Sequence, residues 1–205
     1  MKEIGLFPLG MVLLPTEQVP LHIFEERYKE LIGECLEQSR EFGLVYADDD
    51  GVRPIGTRAV VTEVLEQFED GRMNVVIEGR ERFRLVELTS GRSFSTAEVE
   101  PVEDQDDPAD PEDADRALEL FRRLVELTGA EVEEPSSPSA QLSFDVAARF
   151  DFAPDLKQEL LQETSERVRL KRLCELLAGA AKVVERQQEI AARAATNGKV
   201  QPRGG

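Results

Sequence analysis

Near the start of the chain the apolar positions change period without a break. Met11 to Leu14 and Val19 to Ile23 form two short apolar runs, bounded by Pro8, Pro15 and Pro20. Proline fixes φ and withholds a backbone donor, so each run reads as a strand closed by a turn or a strand end. From Phe24 the apolar residues fall at Phe24, Tyr28, Leu31, Ile32, Cys35 and Leu36, which is the spacing of one helix face. Glu25 and Glu26 open that helix, where carboxylates favour the positive end of its dipole. The stretch from Leu6 to Tyr28 is expected to run strand, turn, strand, then a helix laid against them.

Strand-like patterning continues to residue 103. Phe42-Gly43-Leu44-Val45-Tyr46 ends at the turn cluster Asp48-Asp49-Asp50-Gly51, and Thr57 to Phe68 is rich in Val and Thr. Asp70-Gly71 between strand-like runs predicts a hairpin. Beyond it Met73, Val75 and Ile77 alternate with polar neighbours until Gly79, which marks a bulge or a close backbone approach. Phe83 to Leu88 and Phe94 to Val102, separated by Ser90-Gly91, complete the set. About seven short strands with one helix fit a closed or nearly closed barrel.

The period then becomes helical. Asp113 or Asp115 caps a helix carrying Ala117, Leu118, Phe121, Leu124 and Val125, which stops at Gly129. Ser137-Pro138 opens a second helix bearing Leu142, Val146, Ala147 and Phe150, and Pro154 starts a third through Leu160 and Leu161. Thr164-Ser165-Glu166 opens the longest, with a stripe of Val168, Leu173, Leu177, Ala180 or Ala181, and Val184. If that helix reaches Ala195 it spans roughly 46 Å, so its end projects into solvent or meets a partner. The expected division is a β-rich barrel over 1–103, an acidic linker over 104–112, an α-helical subdomain over 113–195 and a disordered tail over 196–205. The linker expectation rests on its composition: two prolines and no apolar residue larger than alanine give little burial to offset ordering.

Charge narrows the function classes. The net charge of −17 argues against nucleic acid and anionic membranes as partners. Eight acidic side chains and no basic one lie between Glu100 and Asp113, so much of the excess is local. Cys35 and Cys174 are far apart and belong to no C-x-x-C pair, which reads as two buried reduced thiols rather than a disulfide or zinc site. With no signal-like segment and no long apolar run, the expected location is cytoplasmic.

The residues FPLG-x-VLLP and VPLHIFEERY resemble the opening of the Lon protease N-terminal domain, the substrate-binding part of that ATP-dependent protease. The resemblance continues through Phe42-Gly43, Gly56-Thr57 and Glu78-Gly79-Arg80-x-Arg82-Phe83, over almost the whole chain. Two positions depart from the family pattern: Thr16 stands where glycine usually follows Pro15, and Glu26 where proline is frequent. The resemblance implies an α+β fold, a PUA-like pseudo-β-barrel with one packed helix, followed by a helical bundle ending in a long helix. It also implies a non-catalytic module that binds exposed apolar or unfolded polypeptide segments, alongside a separate ATPase or protease.

Catalytic signatures are sparse. The sequence holds no G-x-x-x-x-G-K-[ST] phosphate loop and no G-x-S-x-G serine, and His22 is its one histidine, so neither cofactor nor metal is expected. The ATPase and Ser–Lys peptidase modules of Lon proteases are expected to be missing, which points away from an enzyme. A hydrolase with an unrecognised carboxylate site is the weaker alternative, and a scaffold that forms a homo-oligomer through the C-terminal helix is another. Candidate peptide-binding residues are Phe24, Glu25, Glu26, Arg27 and Glu30 at the helix start, with Arg80 and Arg82 as a second set. On one strand face Arg80, Arg82 and Arg84 together could hold an acidic group; local pairing with Glu78 or the acidic linker is the plainer reading.

Overall fold

The computed structural model describes residues 2–136 and 139–197. In chain order the elements are β1 (Lys2–Leu9), β2 (Gln18–Ile23), α1 (Glu26–Gln38), β3 (Phe42–Asp48), β4 (Gly51–Val52), β5 (Ile55–Gln67), β6 (Met73–Thr89), β7 (Thr96–Pro101), α2 (Pro111–Thr128), α3 (Leu142–Ala147), α4 (Pro154–Gln162) and α5 (Glu166–Asn197). The class is α+β. Antiparallel pairing runs from β1 through β7, β6 and β5 to β3, and β3 returns to β1 in parallel, with Leu6 opposite Gly43. That last pairing closes the ring. Strand β2 pairs with the first half of β6 outside it, Val19 opposite Ile77.

The period of two in β1 serves two cores at once. Ile4 and Leu6 point into the ring with Val45, Phe83, Ala97 and Val99, whereas Phe7 joins the apolar layer beneath α1. Gly5 allows α1 its approach, because a Cβ there would lie 2.3 Å from Leu31 Cδ1. Tyr28, Leu31, Ile32 and Cys35 form the buried face of α1, as the spacing predicts. Burial pushes the Cys35 thiol up to about 11, which keeps it protonated and inert.

Three expectations change. The run Met11–Leu14 is an extended connection rather than a strand. Its consecutive side chains part company, Val12 and Leu14 into the helical core and Leu13 into the barrel core. Its backbone is met by side chains instead, with Leu14 N–H donating to Glu17 Oε2 at 2.9 Å and Thr57 Oγ1 donating to Leu13 O at 2.6 Å. Second, the runs on either side of Gly79 are one strand, β6, that bends without stopping. A register shift against β5 lies beside Gly79, so a bulge absorbs the bend. Third, Val168 leaves the stripe of α5: it is exposed, while Leu173, Leu177 and Ala181 are buried as the spacing predicts, joined by Leu170 and Cys174.

Barrel and helices share a core. Val12, Leu14 and Ile55 pack in the same cluster as Phe121, Leu142, Phe144, Leu160 and Leu173. Polar ties reinforce the joint: Lys157 Nζ donates to Glu17 Oε1 at 2.5 Å, with both side chains buried, and Gln158 Nε2 donates to Ile55 O at 3.1 Å. Gly129 ends α2 in the left-handed region at φ 67°, the helix stop the sequence predicts. The expected start at Ser137-Pro138 lies outside the described residues.

The acidic stretch between barrel and helices is tied down. Its residue Asp107 accepts from Ser165 Oγ at 2.7 Å, Ser165 Oγ in turn accepts from Val168 N–H at 3.1 Å as the cap of α5, and Gln105 N–H donates to Thr164 O at 2.8 Å. Its carboxylates thus gather at the positive end of α5. Helix α2 begins at Pro111, inside the expected linker, and α5 continues through Asn197, inside the expected tail; residues 198–205 lie outside the described residues. Among the described residues no helix is long and apolar enough to cross a membrane.

Candidate functional site

Among the described residues, strand β1 pairs with β7 only as far as Gly5, and β2 pairs with no strand except β6. Between the end of β1 and β2 a small apolar cleft of about 80 Å³ remains, lined by Phe7, Leu9, Leu21, His22, Ile23, Phe24, Glu25 and Tyr28. Tyr28, the first inward residue of α1, stacks on Phe7 with ring centroids 4.0 Å apart and builds one wall. Burial pushes its hydroxyl above the usual tyrosine range, against the opposing charge of Arg27.

The opposite wall is open. Phe24 precedes the first turn of α1 and is 59% exposed, although the helical spacing places it on the buried stripe. Its ring stacks on His22 at 5.9 Å, and His22 meets the edge of Phe68 at 6.3 Å. His22 Nδ1 lies 2.6 Å from Asn74 Oδ1, and Asn74 Nδ2 donates to Glu66 Oε2 at 3.1 Å. A row of three rings, exposed at Phe24 and His22 and half-buried at Phe68, therefore crosses from β2 to the tip of the β5–β6 hairpin.

Charged residues hold the rim. Arg27 donates twice to Glu25 Oε2, at 2.9 and 2.5 Å, and its guanidinium lies 4.9 Å over the Tyr28 ring. Lys29 Nζ donates to Glu26 Oε1 at 2.7 Å and to the Asp70 carbonyl at 2.8 Å, which fastens the hairpin tip to α1. Arg72 pairs with Asp70 at 2.7 Å and covers Phe68 at 5.0 Å.

The candidate residues divide between places. Phe24 and Glu25 line the cleft, and Glu26 and Arg27 stand beside it. Glu30 turns away and accepts from Ser93 Oγ at 2.5 Å. Arg80 and Arg82 belong to a separate polar groove of about 390 Å³ between the barrel and the helices, lined also by Thr16, Glu103, Asp104 and Phe144. The three arginines do not share a free face: Arg80 pairs with Glu78 at 3.0 Å, Arg84 is exposed, and the bulge turns Arg82 inward until its side chain is 4% exposed. There Arg82 donates to Leu161 O and Glu163 O at 2.8 and 2.7 Å and pairs with Asp104. Its place is between the layers, at the floor of that groove. Of the lining residues, Phe7, Leu9, Leu21, His22, Ile23 and Tyr28 were not among the candidates, and Phe68 stands beside the cleft against His22; the alternation in β2 was the available signal, but which strand it faces was not readable from it.

Residues 3–179 match the profile of the ATP-dependent protease La (LON) substrate-binding domain. The chain belongs to this family. A Lon protease of Paraburkholderia phytofirmans is 27% identical over 209 residues, covering 94% of this chain and 26% of that protein. A Lon protease of Anaeromyxobacter dehalogenans is 27% identical over 183 residues, covering 81% and 22%. The chain thus spans about a quarter of the length of these curated relatives. Among solved structures, a Lon N-terminal domain protein from Xanthomonas campestris aligns with a TM-score of 0.68 at 27% identity, over 84% of this chain and 97% of that one. The N-terminal domain of a Mycobacterium avium complex Lon protease shares the fold at a TM-score of 0.64 and 18% identity, over 86% and 98%.

Membership gives the departure at Thr16 a physical meaning. Thr16 sits in the left-handed region at φ 66°, a conformation that glycine takes without steric cost. Its hydroxyl is buried without a hydrogen-bond partner among the described residues. The turn keeps its shape because Thr16 N–H donates to Gly79 O at 2.9 Å and Gly79 N–H donates to Glu17 O at 2.9 Å. Gly79 has no room for a side chain, since a Cβ would stand 2.1 Å from Leu14 O.

Proposed function

We propose that this Lon-family domain is a non-catalytic receptor for exposed apolar or unfolded polypeptide segments, and that the cleft between β1 and β2 takes their side chains. The observation that carries this reading is Phe24, a large aromatic held 59% exposed at the mouth of an apolar cleft. A bulky apolar group at that position gains little by folding alone and gains burial when a second chain covers it. Insertion of side chains is favoured over strand addition, because Pro8 in β1 and Pro20 in β2 withhold donors beside the cleft. The domain's collaboration with a Lon-type ATPase and protease is part of the same proposal. The test is fluorescence anisotropy with labelled short peptides, one rich in Phe and Leu and one of Gly and Ser. Saturable binding of the first alone supports the reading; equal binding of both, or of neither, overturns it.

A second reading, association of two copies through the far end of α5, has one observation in its favour. Val183 and Ile190 lie seven residues apart on that helix and are 57% and 59% exposed. A strict monomer by light scattering at high concentration removes it.

A further inference from the structure

We infer that the cleft discriminates among apolar segments by the charge beside them, favouring segments flanked by lysine or arginine over those flanked by aspartate or glutamate; this rests on the peptide-binding reading above. Carboxylates outnumber cations around the exposed rings. Glu25, Glu26, Glu66, Glu69 and Asp70 stand on the start of α1 and the end of the β5–β6 hairpin, against Arg27, Lys29 and Arg72.

The three cations are already committed. Arg27 is held by Glu25 and the Tyr28 face, Lys29 by Glu26 and the Asp70 carbonyl, and Arg72 by Asp70 and the Phe68 face. The carboxylates are less occupied. Among the described residues Glu69 has no cationic partner, Glu66 meets only the amide of Asn74, and the Glu26 side chain is 90% exposed. An arriving acidic side chain meets cations already neutralised by a carboxylate or seated on a ring, whereas an arriving ammonium or guanidinium meets carboxylate oxygens without a cationic partner. The whole-chain charge of −17 adds a long-range field of the same sign.

The test uses three labelled peptides with one Phe-Leu core and flanks of lysine, serine or glutamate, titrated against the full chain at low and high salt. Expected is a roughly tenfold preference for lysine over glutamate flanks at low salt, as a few exposed ion pairs allow, shrinking toward none at high salt. The variant Glu26→Gln/Glu66→Gln/Glu69→Gln is expected to narrow the preference to about twofold. Glu112→Gln/Glu119→Gln, the same kind of change on exposed residues of α2, is expected to leave most of it. Equal affinity for the three flanks, or equal loss in both variants, overturns the inference while leaving the receptor reading standing. Absence of binding to every peptide overturns both.

Discussion

Arg169 and Asp104 face each other fork to fork, with Nη1 3.0 Å from Oδ1 and Nη2 2.6 Å from Oδ2. The Arg169 side chain is fully buried, an unusual state for arginine that its other partners explain. Nε donates to Ser143 Oγ at 2.6 Å, Nη1 also to Glu163 O at 2.6 Å, and Nη2 also to Glu166 Oε2 at 2.6 Å; the plane lies 4.0 Å from the Phe144 ring. Arg82 meets the same Asp104 from the barrel side. One carboxylate thereby joins barrel, acidic stretch and α5.

Removing Arg169 leaves buried Glu166 without its cation and Asp104 with Arg82 alone. Arg169→Ala is expected to destabilise the fold by about 3–5 kcal/mol, read from urea denaturation. A loss below about 1 kcal/mol would show that water replaces the guanidinium freely.

Acid should loosen the same joint. Burial opposes ionisation of Asp104, but hydrogen bonds from Arg169, its charge and then Arg82 outweigh burial, so the carboxyl is held below its ordinary value. A carboxyl depressed by folding stabilises above its unfolded pKa, about 3.9, and that contribution is lost as pH falls through the lower folded value. Melting temperature is expected to be flat down to about pH 5 and to drop below about pH 4. Asp104→Asn should melt lower at neutral pH and lose less on acidification; identical pH slopes for both proteins would refute the assignment.

Thr16→Gly is expected to stabilise by about 1 kcal/mol, because relief of the left-handed strain and of the orphan hydroxyl exceeds the added chain entropy. Thermal melts of the two proteins side by side decide the sign.

Gly79→Ala is expected to destabilise by about 3 kcal/mol, since the new methyl meets a backbone carbonyl that cannot rotate away. Retention of the wild-type melting temperature would mean that the 14–17 turn moves freely.

Phe24→Ala should separate binding from folding. Affinity for an apolar peptide is expected to fall about tenfold, or 1.4 kcal/mol. Stability should stay within about 0.5 kcal/mol, because the ring is mostly in solvent. A stability loss equal to the binding loss would make Phe24 a structural residue.

Much of the fold was legible because local rules and tertiary packing agreed. The Asp70-Gly71 hairpin, the Gly129 stop, the Ser165 start and the apolar face of α1 each follow from backbone chemistry within a few residues. What escaped depends on partners distant in sequence. Val168 reads as core by spacing, yet Arg169 takes the buried position because Asp104 and Ser143 await it there. Met11–Leu14 reads as a strand, yet no neighbour offers it a ladder. Phe24 fits the helical period, yet the helix starts two residues later. The cleft itself arises where β1 and β2 part, a relation that no stretch of the sequence displays.

The placement of Val12, Leu14 and Ile55 among the side chains of α2 to α5 has a practical corollary for anyone trimming this domain. A fragment ending at residue 103 would bare those three residues and leave Arg82 without its carboxylate, so it should precipitate or stay molten instead of yielding a usable barrel. The smallest soluble piece is expected to extend at least through the first half of α5, and limited digestion should release one resistant product, not two.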